Sequence, residues 1–342
     1  MAIAMAVSAP GLGASLGYAN NTQFLGSAIG GLVKNGDFGD FTQAISSIVP
    51  PNVGMGAQFS ENSFHNNKGF SSYNGFLVTL QKNLSHGLTY DFNYTFSHSI
   101  DNISFFANSQ GDTGIGGGGL ICDDIRPKEC RASSDFDLRH IVSGDASYEL
   151  PFGTGKMLFS TAPFWTNEII GGWSISGIAD WHTGYPWQTA SNAFVASYSN
   201  DAPAILVGNA ALAKNKLTKL PGGGVSDFAN AAVAAAQYGG PVGFRIGNRN
   251  DQRGPGFFNT DLGLGKTFPV YGDRVNLKFR ADAFNALNHP NFAIPSENVF
   301  NGYDSEDILQ RGGFGQIAFT VVPSGNGNNG ARVLQLALRL EF

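Results

Sequence analysis

The sequence predicts an all-β protein: an antiparallel transmembrane β-barrel segment of about seven long meander strands, an incomplete barrel without a plug. Three observations carry this. Segments of about ten to fourteen residues alternate apolar and polar, the period of a strand whose two faces meet different surroundings. The connections alternate short and long, as in outer-membrane barrels with short turns on one side and long loops on the other. Charged residues are only 14% of the chain, against roughly 25% in ordinary soluble domains. No run approaches the ~18 apolar residues of a membrane helix.

In chain order, residues 1–70 are rich in Gly, Asn, Ser and Pro without a sustained period. They are expected to be a loop-rich N-terminal segment, either an external loop or an arbitrary start, with strands 71–342 following. The first two strands form a hairpin. Phe76, Val78 and Leu80 share one face, and after the Asn83–Gly87 turn Leu88, Tyr90, Phe92, Tyr94 and Phe96 continue it, against Thr89, Asp91, Asn93, Thr95 and Ser97. The third strand, 139–150, sets Val142, Gly144, Ala146 and Tyr148 against Ser143, Asp145, Ser147 and Glu149. The fourth, 172–185, sets Trp173, Ile175, Gly177, Ala179, Trp181 and Tyr185 against Ser174, Ser176, Asp180 and His182. The fifth, 258–268, opposes Leu262, Leu264 and Phe268 to Asn259, Asp261, Gly263 and Thr267. After the Tyr271-Gly-Asp turn, the sixth opposes Val275, Leu277, Phe279, Ala281 and Ala283 to Arg274, Asn276, Lys278, Arg280 and Asp282. The last, 332–342, opposes Leu334, Leu336, Leu338, Leu340 and Phe342 to Gln335, Arg339 and Glu341.

Two environments suit such strands. A soluble sandwich buries the apolar face under a second sheet, whereas a membrane barrel turns it to lipid and the polar face to a wet lumen. Arg274, Lys278, Arg280 and Asp282 would be costly inside a dry sandwich unless paired. The segment lengths match the ~9–11 residues of a tilted membrane strand. Trp173 and Tyr185 share a face and lie roughly 30 Å apart along the membrane normal, at ~3.3 Å per residue and a tilt near ~40°. They are therefore expected in the two interfacial girdles. With the last strand running inward, the turns at 83–87, 151–155 and 269–273 fall in the periplasm and loops 99–134, 186–255 and 289–330 outside. This parity requires Phe314–Thr320 to belong to the last external loop or to an extension of the last strand above the membrane. Within loop 186–255, Ala210–Lys214 and Phe228–Ala235 are expected as short helices.

The net charge of −5 argues against nucleic acid as a partner. The first residues are small and apolar with no Lys or Arg before Lys34, unlike the basic start of a secretory signal. The chain therefore reads as part of a longer protein or a truncated gene product. Cys122 and Cys130 are the only cysteines. They are expected to close a small disulfide loop in an oxidising compartment. Asp123, Asp124 and Glu129 in that loop read as solvated acids before they read as a Ca²⁺ site. The six His are scattered without metal-ligand spacing, and Gly153-Thr-Gly-Lys156 lacks the first Gly and the Ser/Thr of a phosphate loop. Gly116–Gly119 has no strand-to-helix frame. No catalytic constellation, metal or cofactor is expected.

Several motifs, in order, resemble the later barrel hairpins of Oar-like TonB-dependent receptors. They are Ser72-Tyr-Asn-Gly-Phe with Ser85-His-Gly-Leu-Thr-Tyr-Asp, Phe136-Asp-Leu-Arg-His140, Tyr148-Glu-Leu-Pro-Phe-Gly-Thr-Gly-Lys156 and Gly172-Trp-Ser-Ile-Ser-Gly177 with Thr183-Gly-Tyr-Pro186. Arg253-Gly-Pro-Gly-Phe-Phe-Asn-Thr-Asp261, Phe279-Arg-Ala-Asp-Ala-Phe-Asn-Ala-Leu-Asn-His-Pro-Asn-Phe292 and the terminal Leu-Arg-Leu-Glu-Phe342 complete the series. The resemblance implies an outer-membrane barrel of about twenty-two strands filled by a plug, with uptake energised by TonB through that plug. It makes Leu338, Leu340 and Phe342 the signal read by the barrel assembly machinery. Asp91, Asp145, Asp180, His182, Arg280 and Asp282 are expected to line the lumen, and outer-membrane lipid to meet the other face. The alternatives are a passive pore, a surface adhesin or a secreted β-rich binding protein.

Overall fold

The computed structural model describes residues 67–104, 126–191, 203–221, 223–240, 245–271, 275–297, 313–321 and 330–342, with Ala14, Ala19, Asn20, Gln23 and Val299. The expected loop-rich segment before residue 67 lies almost wholly outside them, as do Gly116–Gly119.

Seven long strands form one sheet: β1 (Ser71–Ser85), β2 (Leu88–Asp101), β3 (His140–Glu149), β4 (Trp173–His182), β5 (Phe257–Tyr271), β6 (Val275–Phe284) and β7 (Val333–Glu341). They pair in sequence order, every neighbour antiparallel. Among the described residues no pairing joins β1 to β7.

Directly opposed residues of an antiparallel pair share a face, so register tests the predicted faces across the whole sheet. Leu88, Tyr148, Ile175, Leu264, Ala281 and Leu336 form one apolar row. On the other face Gln81, Asp91, Asp145, Ile178 and Asp261 form a row, and Thr79, Asn93, Ser143, Asp180 and Asn259 form the next. Among the described residues no second sheet covers the apolar face: Phe76 is 62% exposed, Leu334 71% and Leu336 73%. In water such a patch would drive aggregation. Such a face fits the barrel reading, in which lipid covers it.

The β1–β2 turn is tighter than the sequence suggests, only His86 and Gly87 standing between the strands. Both adopt positive φ, 54° and 80°, as a two-residue primed hairpin turn requires. The β5–β6 turn is likewise narrower than 269–273, because β5 runs on to Tyr271. The connection between β3 and β4 holds a helix that period-two reading misses, α1 (Phe164–Ile170). Gly172, at φ 69°, turns the chain from it into β4.

Tyr185 departs from expectation. β4 stops at His182, and Gly184 next packs so close to Gly254 that a Cβ would lie 1.7 Å from its carbonyl oxygen. Tyr185 therefore leaves the strand, and its ring meets His182 edge-on at 5.4 Å. It is no girdle residue.

The buried core lies at the long-loop end. Trp187, Ala204, Ala213, Phe228, Ala234, Tyr238 and Phe314 pack together there. The Phe228 and Phe314 rings stack at 5.0 Å, and Trp187 meets Phe228 at 6.0 Å. Two helical turns fall within the predicted ranges, at Ala210–Ala213 and Ala231–Ala235. Phe228 precedes the second and is core, not helix. Gln316–Ile317 pairs with Val225–Ser226 in this layer, so the expectation that Phe314–Thr320 forms no further spanning strand agrees with the fold.

Candidate functional site

The polar face of the sheet forms a groove of about 450 Å³, into which Asp145, Asp180, Asp261, Asp282 and Arg280 project. Each is placed by strand period alone, one residue in two turning inward. Four of the six expected lumen residues, Asp145, Asp180, Arg280 and Asp282, meet here. Asp91 stands beside them, opposite Asp145 in register, and accepts a hydrogen bond from the Asn93 amide. His182 is on the same face but at the long-loop end, stacked on Phe257 at 5.0 Å, with Nδ1 2.8 Å from the Thr183 carbonyl. Asp261 joins the group. It accepts from the Asn259 amide at 3.1 Å and from the Asn285 N–H at 2.8 Å, and its place on the polar face of the fifth strand was the signal available in the sequence.

The wall thus carries five carboxylates against one guanidinium. Arg280 pairs with its neighbour Asp282 at 2.8 Å. Toward the short-turn end the charges balance, with Lys278 2.7 Å and Arg339 3.3 Å from Glu341 and Glu149 on the same face. Among the described residues no three His, Cys, Asp or Glu converge as metal ligands. Such a wall favours neutral polar or cationic solutes over anions.

Over the rim, the long loops are clamped to the strands by buried charge. Asp137, 1% exposed, accepts from the Ser99 N–H at 2.7 Å, from Arg139 Nε at 2.9 Å and from Arg253. His98 donates to it from Nδ1 at 3.3 Å and accepts Arg139 at Nε2. Burial alone would raise the Asp137 carboxyl, but the Ser99, Arg253 and His98 bonds outweigh it and hold the group below its usual range. A second clamp sets Arg249 against Asp101 and, at 3.2 Å, Asp135. A third is neutral: the Asn291 side chain donates to the Phe258 carbonyl at 3.0 Å and accepts the Phe258 N–H at 2.8 Å. Asp137, Arg139, Arg253 and Asn291 all sit in motifs that carry the sequence resemblance, which had assigned them no role.

Inside the loop layer, burial pushes the Asp227 carboxyl up to about 6, partly offset by the Asn215 amide donating to it. Burial likewise raises Asp251, which accepts from Thr189 and from the Tyr238 hydroxyl at 3.1 Å. A raised carboxyl pKa means that the folded layer holds its proton to higher pH than the unfolded chain does. Its contribution to stability is therefore full below 3.8 and lost as pH rises through about 6. For Asp227 the upper bound is roughly 3 kcal/mol. Amide exchange across 215–228, corrected for intrinsic pH dependence, is expected to be slower at pH 4.5 than at pH 7.5. Asp227→Asn is expected to abolish most of that difference.

Cys130 is buried and disulfide-bonded. Cys122, the sequence's other cysteine, lies outside the described residues together with Asp123 and Asp124, while Glu129 pairs with Arg126 at 3.2 Å. Leu338 and Leu340 lie on the apolar face opposite Phe279 and Leu277, and Phe342 follows β7 almost fully exposed.

Among the described residues no helix is long and apolar enough to cross a membrane. The family described as an outer membrane beta barrel domain matches residues 22–335. No curated protein and no solved structure matches the chain. A meander of seven long strands, apolar on one face and polar on the other, is what that family match requires, and the chain belongs to the outer-membrane β-barrel family, at home in the outer membrane of a Gram-negative bacterium.

Proposed function

We propose that this barrel domain is part of a TonB-dependent receptor for energised uptake of an oligosaccharide, a peptide or a metal chelate. The observation that carries the reading is the loop layer. Two long connections fold around one aromatic core, the first clamped by Arg–Asp pairs and the second by the Asn291 amide to the rim of a polar wall. Such a layer is a preformed capture surface, unlike the mobile rim of a passive pore. TonB would act through a plug set against the groove of Asp145, Asp180, Asp261 and Asp282. Leu338, Leu340 and Phe342 would present the assembly signal at the periplasmic end of the last strand.

The test is conductance together with uptake. The protein purified from outer membranes is expected to give no steady current in a planar bilayer. Accumulation of its cargo in the periplasm, screened across the three classes, is expected to stop when the inner-membrane proton gradient is collapsed. A steady resting conductance with uptake indifferent to the gradient would establish the passive pore instead.

A further inference from the structure

Two lysines break the apolar pattern of the wall, Lys82 beside the first hairpin turn, opposite Tyr90, and Lys266, the buried one of the two. Register places Lys266 on the lipid face, in a row with Trp173, Phe279 and Leu338. A lysine facing lipid is costly at the midplane of the bilayer and is tolerated only near its interfaces. Lys266 lies toward the short-turn, periplasmic end of β5, and yet it is only 3% exposed.

What covers it is α1. Lys266 Nζ donates to the Ile169 carbonyl at 3.0 Å and to the Gly171 carbonyl at 2.7 Å, the carbonyl-rich end of that helix, where a cation is favoured. It also lies 4.9 Å from the Trp173 ring centre and 4.8 Å from that of Phe268. Trp173 Nε1 donates to the same Ile169 carbonyl at 2.9 Å. Lys266 and Trp173 both face lipid. The helix they hold is therefore pinned to the outside of the wall and does not hang beneath the lumen.

Away from the wall, α1 exposes Phe164 (65%), Trp165 (78%) and Ile169 (71%). The loop before it exposes Met157 and Phe159 as well. This apolar surface continues from the lipid-facing Trp173 and Phe268. Aromatic rings on a short helix at the edge of a hydrocarbon-facing surface match the membrane–water boundary.

We propose that α1 is an interfacial anchor. Phe164, Trp165 and Ile169 enter the periplasmic leaflet of the outer membrane, and their partner is the phospholipid at its headgroup–acyl boundary. Lys266 is the positioning residue that holds the helix there. The anchor would set the depth of this side of the barrel independently of what the barrel transports.

The experiment uses the whole protein, purified from outer membranes and reconstituted into phosphatidylcholine–phosphatidylglycerol bilayers. The difference in emission between wild type and Trp165→Phe isolates Trp165. That emission is expected to be blue-shifted, lost with lipid brominated close to the headgroup, largely retained with lipid brominated at the chain end, and insensitive to aqueous iodide. If Trp165→Phe assembles poorly, Trp173→Phe leaves Trp165 in place, and the same quenching of its remaining emission is read against Trp173→Phe with Trp165→Tyr. Quenching by iodide and not by bromolipid would overturn the proposal by placing α1 in water. Quenching by neither would overturn it too, because a protein surface would then cover the helix.

Discussion

Replacing Arg249 by Met is expected to release the loop layer from the barrel rim while the membrane strands hold. Arg249 is almost fully buried and donates to Ser104 Oγ at 2.9 Å, to the Asp101 carbonyl at 3.1 Å and to the Asp101 and Asp135 carboxylates. Met fills much of the same volume but leaves Asp101, 2% exposed, without a counter-charge. Breaking a buried pair from one side costs about 3–5 kcal/mol, most of it the desolvated charge left behind. At about 1.4 kcal/mol per decade, that is more than a hundredfold in local opening. Amide exchange at 99–104, 133–137 and 247–253 is the readout. Arg249→Met with Asp101→Asn is expected to recover much of the protection, since a neutral amide carries no charge to strand. Unchanged exchange in the single variant would show that the clamp does not hold the layer.

A charge on the lipid face is expected to be nearly as damaging, and to depend on parity. Leu336 lies toward the middle of β7, on the apolar face opposite Ala281. Leu336→Arg puts a guanidinium into hydrocarbon, at about 2–4 kcal/mol. Its neighbour Gln335 faces the other way, opposite Asp282. Gln335→Arg gains an acidic partner and is expected to change stability by no more than ~0.5 kcal/mol. Urea midpoints of the two variants in lipid vesicles measure the contrast. Equal losses at both positions would mean that the faces do not differ in environment.

Much of this architecture is legible in the sequence because a strand writes its surroundings every second residue. The runs Leu88–Phe96 and Leu334–Phe342 need no neighbour to declare a face, and register then joins them across the sheet. The same rule placed Asp145, Asp180, Arg280 and Asp282 on one wall before their strands were known to be adjacent. What escaped is non-local. Trp187, Phe228, Tyr238 and Phe314 form one core, yet they are scattered over more than a hundred residues with no common period. Arg253 and Asp137 likewise meet across the span between two loops. The helix at Phe164–Ile170 was hidden because two turns are too short for a 3.6-residue period to emerge. Alternation alone extends the fourth strand to Tyr185, but the strand stops at His182 and the backbone packs closely at Gly184.

The central claim is that one face of this sheet meets lipid and the other water. Spin labels placed singly at 333–341 of the protein in outer-membrane vesicles test it most directly, by collision with dissolved oxygen and with a water-soluble nickel chelate. Positions 334, 336, 338 and 340 are expected to favour oxygen, and 335, 337 and 339 the chelate, with strict alternation along the strand. A chelate preference at all positions, or alternation of the opposite phase, would contradict the account.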